Sequence, residues 1–353
     1  MKVLFVYKYL TLGGVEAVLR ARLDGLFRSG IEAHAWFFYD LGGRSIFAGR
    51  EGRIHVGKAA ECLRFARDHG FSLLSSIDTE EILPGFIGEA GAPRLVFECH
   101  SAYLENIEYL RELAAYHPAA VLTPSEAHRR TVCERVDRNV EVRVVPNPLR
   151  GEFVEEPGPF PSPPRRPVAA WIGRLDALKN WECFVEALGA LGRRGTDVEG
   201  WIIGKPVGDE GARKLLERAC EERALERLRW FGALPYGRIP LFLDAVRDSG
   251  GVLVSTSRAE SFGLTVAEAM ARRCAVVVPD QPPFTEFVEE GATGSLFEPG
   301  SAASAADRIA ELLADADRRA AYGRRAREAV LARFAPGPAL DLLASELWRI
   351  STV

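Results

Sequence analysis

At 353 residues, with 47% hydrophobic and 27% charged residues, the chain has the make-up of a folded globular protein and exceeds one ordinary core, so two domains are expected. A formal net charge of −4 excludes a bulk basic field for nucleic acid, and residues 1–150 are neutral, so neither half is a polybasic membrane binder. No apolar run approaches the roughly 18 residues of a membrane span, and Met1–Tyr7 is too short an apolar run for a signal peptide. The six cysteines (Cys62, Cys99, Cys133, Cys183, Cys220, Cys274) show no C-x-x-C spacing, which leaves zinc and redox motifs unsupported and suits a reducing, cytoplasmic setting.

Along the chain, Lys2–Tyr7 reads as a strand and Val15–Ser29 as a helix. Further strands are expected at Glu32–Tyr39, Leu73–Ile77, Arg94–Cys99, Ala120–Thr123 and Val140–Val145. Glu155–Pro167 then places six prolines in thirteen residues, which can build neither a helix nor a central strand. It reads as a semi-rigid interdomain linker, with a long surface loop inside one domain as the other reading. Alternation restarts with strands at Val168–Ile172, Val198–Ile203, Leu228–Phe231, Gly251–Val254 and Ala275–Val278. Helices are expected at Trp181–Leu191, Asp209–Arg223, Ala302–Ala314, Arg318–Arg333 and Pro338–Ile350.

This alternation implies an α/β chain of two Rossmann-like, parallel-sheet domains, 1–154 and 168–335, joined by the linker 155–167. Open sheets of this kind bind ligands beyond the carboxyl ends of their strands, and two such edges facing each other would make a deep cleft.

The stretch Glu260-Ser-Phe-Gly-Leu-Thr-Val-Ala-Glu268 is the richest in chemistry. It follows an apolar strand, turns at Gly263 and enters a helix, so free N–H groups and the positive dipole end make an anion site. Its two carboxylates cannot bind phosphate and would suit neutral hydroxyls beside it, as in a nucleotide-sugar. An acidic helix cap is the plainer reading. Arg174 ends the first strand of the second half and Lys179 opens the next helix, which puts a guanidinium fork and a mobile ammonium at the carboxyl edge. Solvated surface cations are the alternative. Gly13-Gly14 follows the first strand without a full G-x-G-x-x-G, so the dinucleotide fingerprint fails, although close backbone approach to a ligand remains open. His100 ends a strand, where it could donate a hydrogen bond, shuttle a proton or be structural. Asn147 sits in a proline-bracketed turn, and Asp315 and Asp317 read as surface residues rather than a D-x-D metal pair.

Taken together, these segments resemble the retaining glycosyltransferases of the GT-B fold known as family 4 or group 1. Glu260 to Glu268 is similar to that family's E-x7-E motif. Trp171-Ile-Gly-Arg-Leu-Asp-Ala-Leu-Lys179-Asn is similar to its phosphate-binding segment, and Gly13-Gly-Val-Glu16 to its N-terminal glycine loop. Val121–Glu126, Val144–Asn147 and Gly291–Gly300 resemble further segments of it. The resemblance implies that Glu268 holds the ribose hydroxyls and Glu260 those of the donor sugar. Arg174 and Lys179 would neutralise the diphosphate. Backbone N–H groups of Phe262, Gly263 and Leu264, next to Ser261, would join them, with Gly13 and Gly14 approaching the diphosphate and His100 near the transferred sugar. It implies no metal and no cofactor, a UDP-sugar as the default donor, and a final helix, about 336–353, that packs back onto the first domain. The first domain would take the acceptor, a glycan, a lipid-linked sugar or a small natural product, with at most peripheral membrane contact.

Two loops depart from the family. Ile203-Gly-Lys-Pro replaces a common Gly-x-Gly turn, and Asp280–Glu286 carries prolines where glycines are usual, so donor contacts at 205–210 and 280–286 stay open. Glu286 stands where the family has a glutamate near the donor. A sugar phosphorylase or epimerase on the same fold, or a non-catalytic nucleotide-sugar binder, are the competing functions.

Overall fold

The structure, a computed structural model, describes residues 1–86, 92–206, 208 and 210–352. The chain divides into two compact units. One comprises Met1–Gly151 and Arg333–Val353, the other Glu152–Ala332.

The first unit is built on strands β1 (Lys2–Leu10), β2 (Glu32–Asp40), β3 (Ile54–Val56), β4 (Leu73–Ile77), β5 (Arg94–Glu98), β6 (Ala120–Thr123) and β7 (Val142–Val144). They form one parallel sheet in the order β3-β2-β1-β4-β5-β6-β7. Central strands such as β4, Leu73-Leu-Ser-Ser-Ile77, are buried along their whole length, as a sheet covered on both faces requires. Its helices are α1 (Gly14–Gly25), α2 (Ala59–Asp68) and α3 (Glu126–Cys133), and α4 (Gly151–Val154) is a single turn at the passage between the units.

The second unit holds β8 (Val168–Ile172), α5 (Trp181–Arg193), β9 (Glu199–Ile203), α6 (Gly211–Glu221), β10 (Leu228–Trp230), α7 (Ile239–Asp248), β11 (Val252–Val254), α8 (Leu264–Ala271), β12 (Ala275–Pro279), β13 (Ser295–Phe297) and α9 (Ala302–Ala314). Its sheet is parallel, in the order β10-β9-β8-β11-β12-β13. In both sheets the order reverses beside the first strand, between β1 and β4 and between β8 and β11. That reversal is where open α/β sheets take ligands.

Helix α10 (Ala316–Phe334) leads out of the second unit, and α11 (Pro336–Thr352) belongs to the first. Leu340, Leu343, Ala344, Leu347 and Ile350 recur at helical spacing and are buried in one cluster with Leu19, Leu23 and Leu26. Burial stabilises this docking by about 1.5–3 kcal/mol for each large aliphatic side chain.

Three sequence expectations need correction. The helix expected over Val15–Ser29 is α1 followed by a 3₁₀ turn, Leu26–Ser29, which ends at Gly30 with φ 72°. The short strands β3 and β13 and the helices α2, α3 and α7 were not among the expected elements, although all three helices are amphipathic. The proline-rich segment 155–167, expected as a semi-rigid interdomain linker, is a strap on the second unit, as the surface-loop reading has it. Phe160 N–H donates to Asp248 at 2.6 Å and Arg247 donates to the Gly158 carbonyl at 2.7 Å. Arg272 donates to the carbonyls of Glu152 and Glu155, and Glu156 pairs with Arg273 and Arg327. Three of these arginine contacts are to backbone carbonyls and two are to the Glu156 carboxylate. The expected start of the helix at Asp209 lies outside the described residues.

Candidate active site

In the second unit, the loops after β8 and β11 flank the reversal point and are locked together by a buried hydroxyl. Thr256 accepts a hydrogen bond from the Trp171 indole at 3.0 Å and donates to the Asn180 carbonyl at 2.8 Å. Arg258 N–H donates to the Leu178 carbonyl at 2.7 Å, and the Gln281 amide donates to the carbonyls of Ser257 and Arg258 at 2.9 and 3.0 Å. Three loops, after β8, β11 and β12, thereby form one surface. Gly204 lies under it. A Cβ there would fall 1.8 Å from the Gly173 carbonyl, so the departure at Ile203-Gly-Lys-Pro keeps the one glycine that close backbone approach demands.

On this surface Lys179 Nζ meets Glu260 Oε1 at 2.5 Å, and Ser257 Oγ donates to the same oxygen at 2.8 Å. The Lys179 backbone is set by its N–H donating to Asp176 at 2.9 Å. Arg174, on the same loop, has an exposed side chain, and its Nε lies 3.2 Å from Asp176. Gly263 caps α8 with φ 88° and ψ 41°, a left-handed conformation. Phe262 is buried and stacks on Phe287 at 6.1 Å, while Phe284 packs below Gly263. The turn thus delivers Ser261 through Leu264 to the start of α8, whose first N–H groups have no partners within the helix. Glu268, one turn into α8, is buried and accepts a hydrogen bond from the Tyr236 hydroxyl. Tyr236 in turn packs edge-on against Phe153 at 5.7 Å.

Gly263→Ala is expected to cost about 1–3 kcal/mol, because the new Cβ must hold φ 88° and would lie 3.0 Å from Phe284 Cε1. Thermal melting of the variant checks this, and an unchanged melting point would mean the turn relaxes without loss.

In the first unit, Gly13 caps α1 and leads into Gly14. Thr11 folds over this loop, its N–H and hydroxyl donating to buried Glu16 at 2.5 Å. Burial raises the Glu16 pKa, and the Thr11 hydroxyl opposes that. His100 lies just past β5. Its backbone N–H donates to Asp78 at 3.0 Å, and its Nε2 lies 3.1 Å from Glu98 Oε2. Arg22 of α1 grips Glu98 through two bonds of 2.8 Å, and Ser75 donates to it at 2.6 Å. Burial opposes the charge on Glu98, but Arg22 and then His100 outweigh it and hold the carboxyl well below its usual range. Buried Asp78 is pushed the other way, with His100 only partly compensating. His128, buried 3.3 Å from Cys99 Sγ, is pushed down to about 4 by burial. Asn147 is buried, with no hydrogen-bond partner on its Oδ1.

The second unit therefore gathers Arg174, Lys179, Glu260, Ser261, Phe262, Gly263, Leu264 and Glu268 around one reversal point, and the first carries Gly13, Gly14 and His100 at the carboxyl ends of its strands. Tyr236, Ser257, Thr256 and the Arg22–Glu98 pair were not evident from sequence. Only Glu98 left a signal there, since strand alternation puts it on the same face as His100 two residues on. Among the described residues no cluster of three or more histidine, cysteine or acidic side chains could hold a metal ion, and no helix is long and apolar enough to cross a membrane.

Residues 154–329 match the family model described as glycosyl transferases group 1. The chain belongs to that family. Curated relatives include the alpha-D-kanosaminyltransferase of Streptomyces kanamyceticus, 31% identical over 180 residues, which are 51% of this chain and 45% of the relative. The D-inositol 3-phosphate glycosyltransferase of Nocardia farcinica is 34% identical over 167 residues, 46% of this chain and 36% of the relative. The chain thus spans less than half the length of these relatives. Among solved structures, Anabaena HepE in complex with UDP and glucose superposes with a TM-score of 0.85 at 20% identity, covering 99% of this chain and 100% of HepE. The pneumococcal O-GlcNAc transferase GtfA, solved with UDP and GlcNAc, gives 0.79 at 12% identity over 99% of each chain. These likenesses establish the fold as GT-B.

Proposed function

We propose that this group 1 protein is a retaining, metal-independent glycosyltransferase of family 4 that moves a hexose from a nucleoside diphosphate sugar, a UDP-sugar, to an acceptor hydroxyl. The observation that carries the reading is the Lys179–Glu260 contact beside the glycine-capped start of α8. A cation, a helix N-terminus and a hydroxyl-binding carboxylate lie within one loop surface, matching the diphosphate and sugar ends of such a donor. Solved neighbours that carry UDP, UDP-glucose or GlcNAc, and relatives named for sugar transfer, support it.

In this reading Glu268, held by Tyr236, takes the ribose hydroxyls, and Glu260 takes those of the sugar. Arg174, Lys179 and the N–H groups of residues 262–264 hold the diphosphate. When the bond from the anomeric carbon to the phosphate oxygen breaks, positive charge grows on the sugar and negative charge on the departing diphosphate. Fixed donors in the second unit stabilise the leaving group. The acceptor oxygen attacks the same face and its proton passes to the departing phosphate, which preserves the anomeric configuration. A covalent sugar trapped on Glu260 would overturn this route. The first unit takes the acceptor, a glycan, lipid-linked or small natural-product hydroxyl, in the cytoplasm or at the inner membrane surface.

A panel of nucleotide-sugars screened by thermal shift tests the donor site, since a ligand that binds only the folded state raises the melting point. One nucleotide-sugar is expected to stabilise the protein, with the shift lost in Arg174→Ala and Glu268→Ala. Absence of any shift across the panel would remove the donor assignment. Donor turnover without acceptor would favour an epimerase or phosphorylase.

A further inference from the structure

The buried pair behind His100 does more than stabilise the first unit. Each Glu98 oxygen has two donors. Oε1 faces Arg22 Nη1 and Ser75 Oγ, and Oε2 faces Arg22 Nη2 and His100 Nε2. Both partners of the ion pair are 1% exposed, and the Arg22 guanidinium also lies 4.9 Å above the Phe5 ring, so neither can turn away. A carboxylate that is ionised and fully occupied as an acceptor has no proton to give. The proton shared between Glu98 and His100 must therefore sit on His100 Nε2.

We propose that Glu98 and Arg22 are positioning residues that lock His100 as its Nε2–H tautomer and present Nδ1 as a hydrogen-bond acceptor to a substrate hydroxyl. Asp78 holds the His100 backbone N–H, so main chain and ring are set from two sides. Among the described residues, Nδ1 has no hydrogen-bond partner and is left for a ligand. A second consequence follows from the chain path. Arg22 lies on α1, the helix that Gly13 and Gly14 open, so the ion pair also fastens the glycine loop's helix to the strand that carries His100. Other titratable groups near the ring are Asp78 on the turn after β4 and, through Cys99, buried His128 on α3.

The substrate part of this inference rests on the sugar-transfer reading, whereas the tautomer does not. Long-range proton–nitrogen NMR of the ligand-free, nitrogen-15-labelled protein, with His100→Asn to assign the signals, reads the tautomer directly. The expected result is a protonated Nε2 and a bare Nδ1. In Glu98→Gln the amide removes the charge that pairs with Arg22 and puts a donor at one of the two acceptor positions, so the hold on the His100 ring is expected to weaken. Sugar-transfer kcat is expected to fall by about 10- to 100-fold, with UDP affinity by calorimetry unchanged. An Nδ1–H tautomer in the unaltered protein, or a Glu98→Gln variant with full kcat, would overturn the proposal. The wild-type spectrum keeps the test decisive if Glu98→Gln fails to fold. A protein with the expected tautomer but no turnover of any nucleotide-sugar would sink the functional reading and leave the lock standing.

Discussion

Lys179→Ala is expected to lower sugar-transfer kcat by about 10²- to 10³-fold, or roughly 2.7–4 kcal/mol of leaving-group stabilisation. Lys179 is held for that task from both ends. Its backbone N–H is anchored on Asp176, its carbonyl accepts from Thr256 at 3.2 Å, and its ammonium rests on Glu260 at 2.5 Å. Without ligand, the ammonium and the carboxylate neutralise each other. A bound diphosphate would draw the ammonium away and free Glu260 for sugar hydroxyls. The two residues therefore act as a unit, and Lys179→Ala/Glu260→Ala should fall well short of the sum of the single losses. Lys179→Arg restores charge but replaces a mobile point donor with a rigid fork, so it should recover only part of the rate. Steady-state kinetics on the unaltered protein, the two single alanine variants, the double variant and Lys179→Arg checks all of this. An unchanged kcat in Lys179→Ala would remove that residue from the leaving-group side.

Arg22→Ala is expected to destabilise the protein by about 3–5 kcal/mol, since it leaves Glu98 buried without its counter-charge. For units of this size the melting transition of the first unit should drop by roughly 6–20 °C. The pH dependence has a defined sign. Glu98 has a folded-state pKa depressed below its ordinary 4.5, so its contribution is present above about 4.5 and is lost as pH falls below that value. Buried Asp78, shifted upward, works in the opposite direction, so total stability alone does not isolate Glu98. The difference in melting point between the unaltered protein and Glu98→Gln does. It should be largest near neutral pH and shrink on acidification through 4.5. A difference independent of pH would show that Glu98 is not held ionised.

The second unit was the more legible in sequence, for physical reasons. Its central strands β11 and β12 are short, fully buried runs such as Ala275-Val-Val-Val-Pro279, and helix α9 was bounded correctly at Ala302–Ala314. The site loops announced themselves because charge at the carboxyl end of a buried strand is conspicuous against apolar neighbours. What remained hidden were partners distant in sequence. Tyr236 lies 32 residues before Glu268 and Arg22 lies 76 before Glu98, and no local period links either pair. The proline-rich strap misled because composition reports what a segment cannot form. It does not report that arginines elsewhere, at 247, 272, 273 and 327, bind the carbonyls and acids the segment leaves exposed.

The chain leaves the first unit at residue 151 and returns at 333, and the Leu149 N–H joins the Phe334 carbonyl at 2.7 Å across that gap. The second unit is thus threaded into the first rather than appended to it. On a ribosome, Glu152–Ala332 can finish folding as soon as it emerges, whereas the first 151 residues must wait with the surface of Leu19, Leu23 and Leu26 uncovered until α11 has been synthesised. The half made first is completed last. Chaperone demand in the cell should therefore fall on the amino-terminal sheet, and a premature stop anywhere in α11 should damage that sheet while leaving the second unit intact.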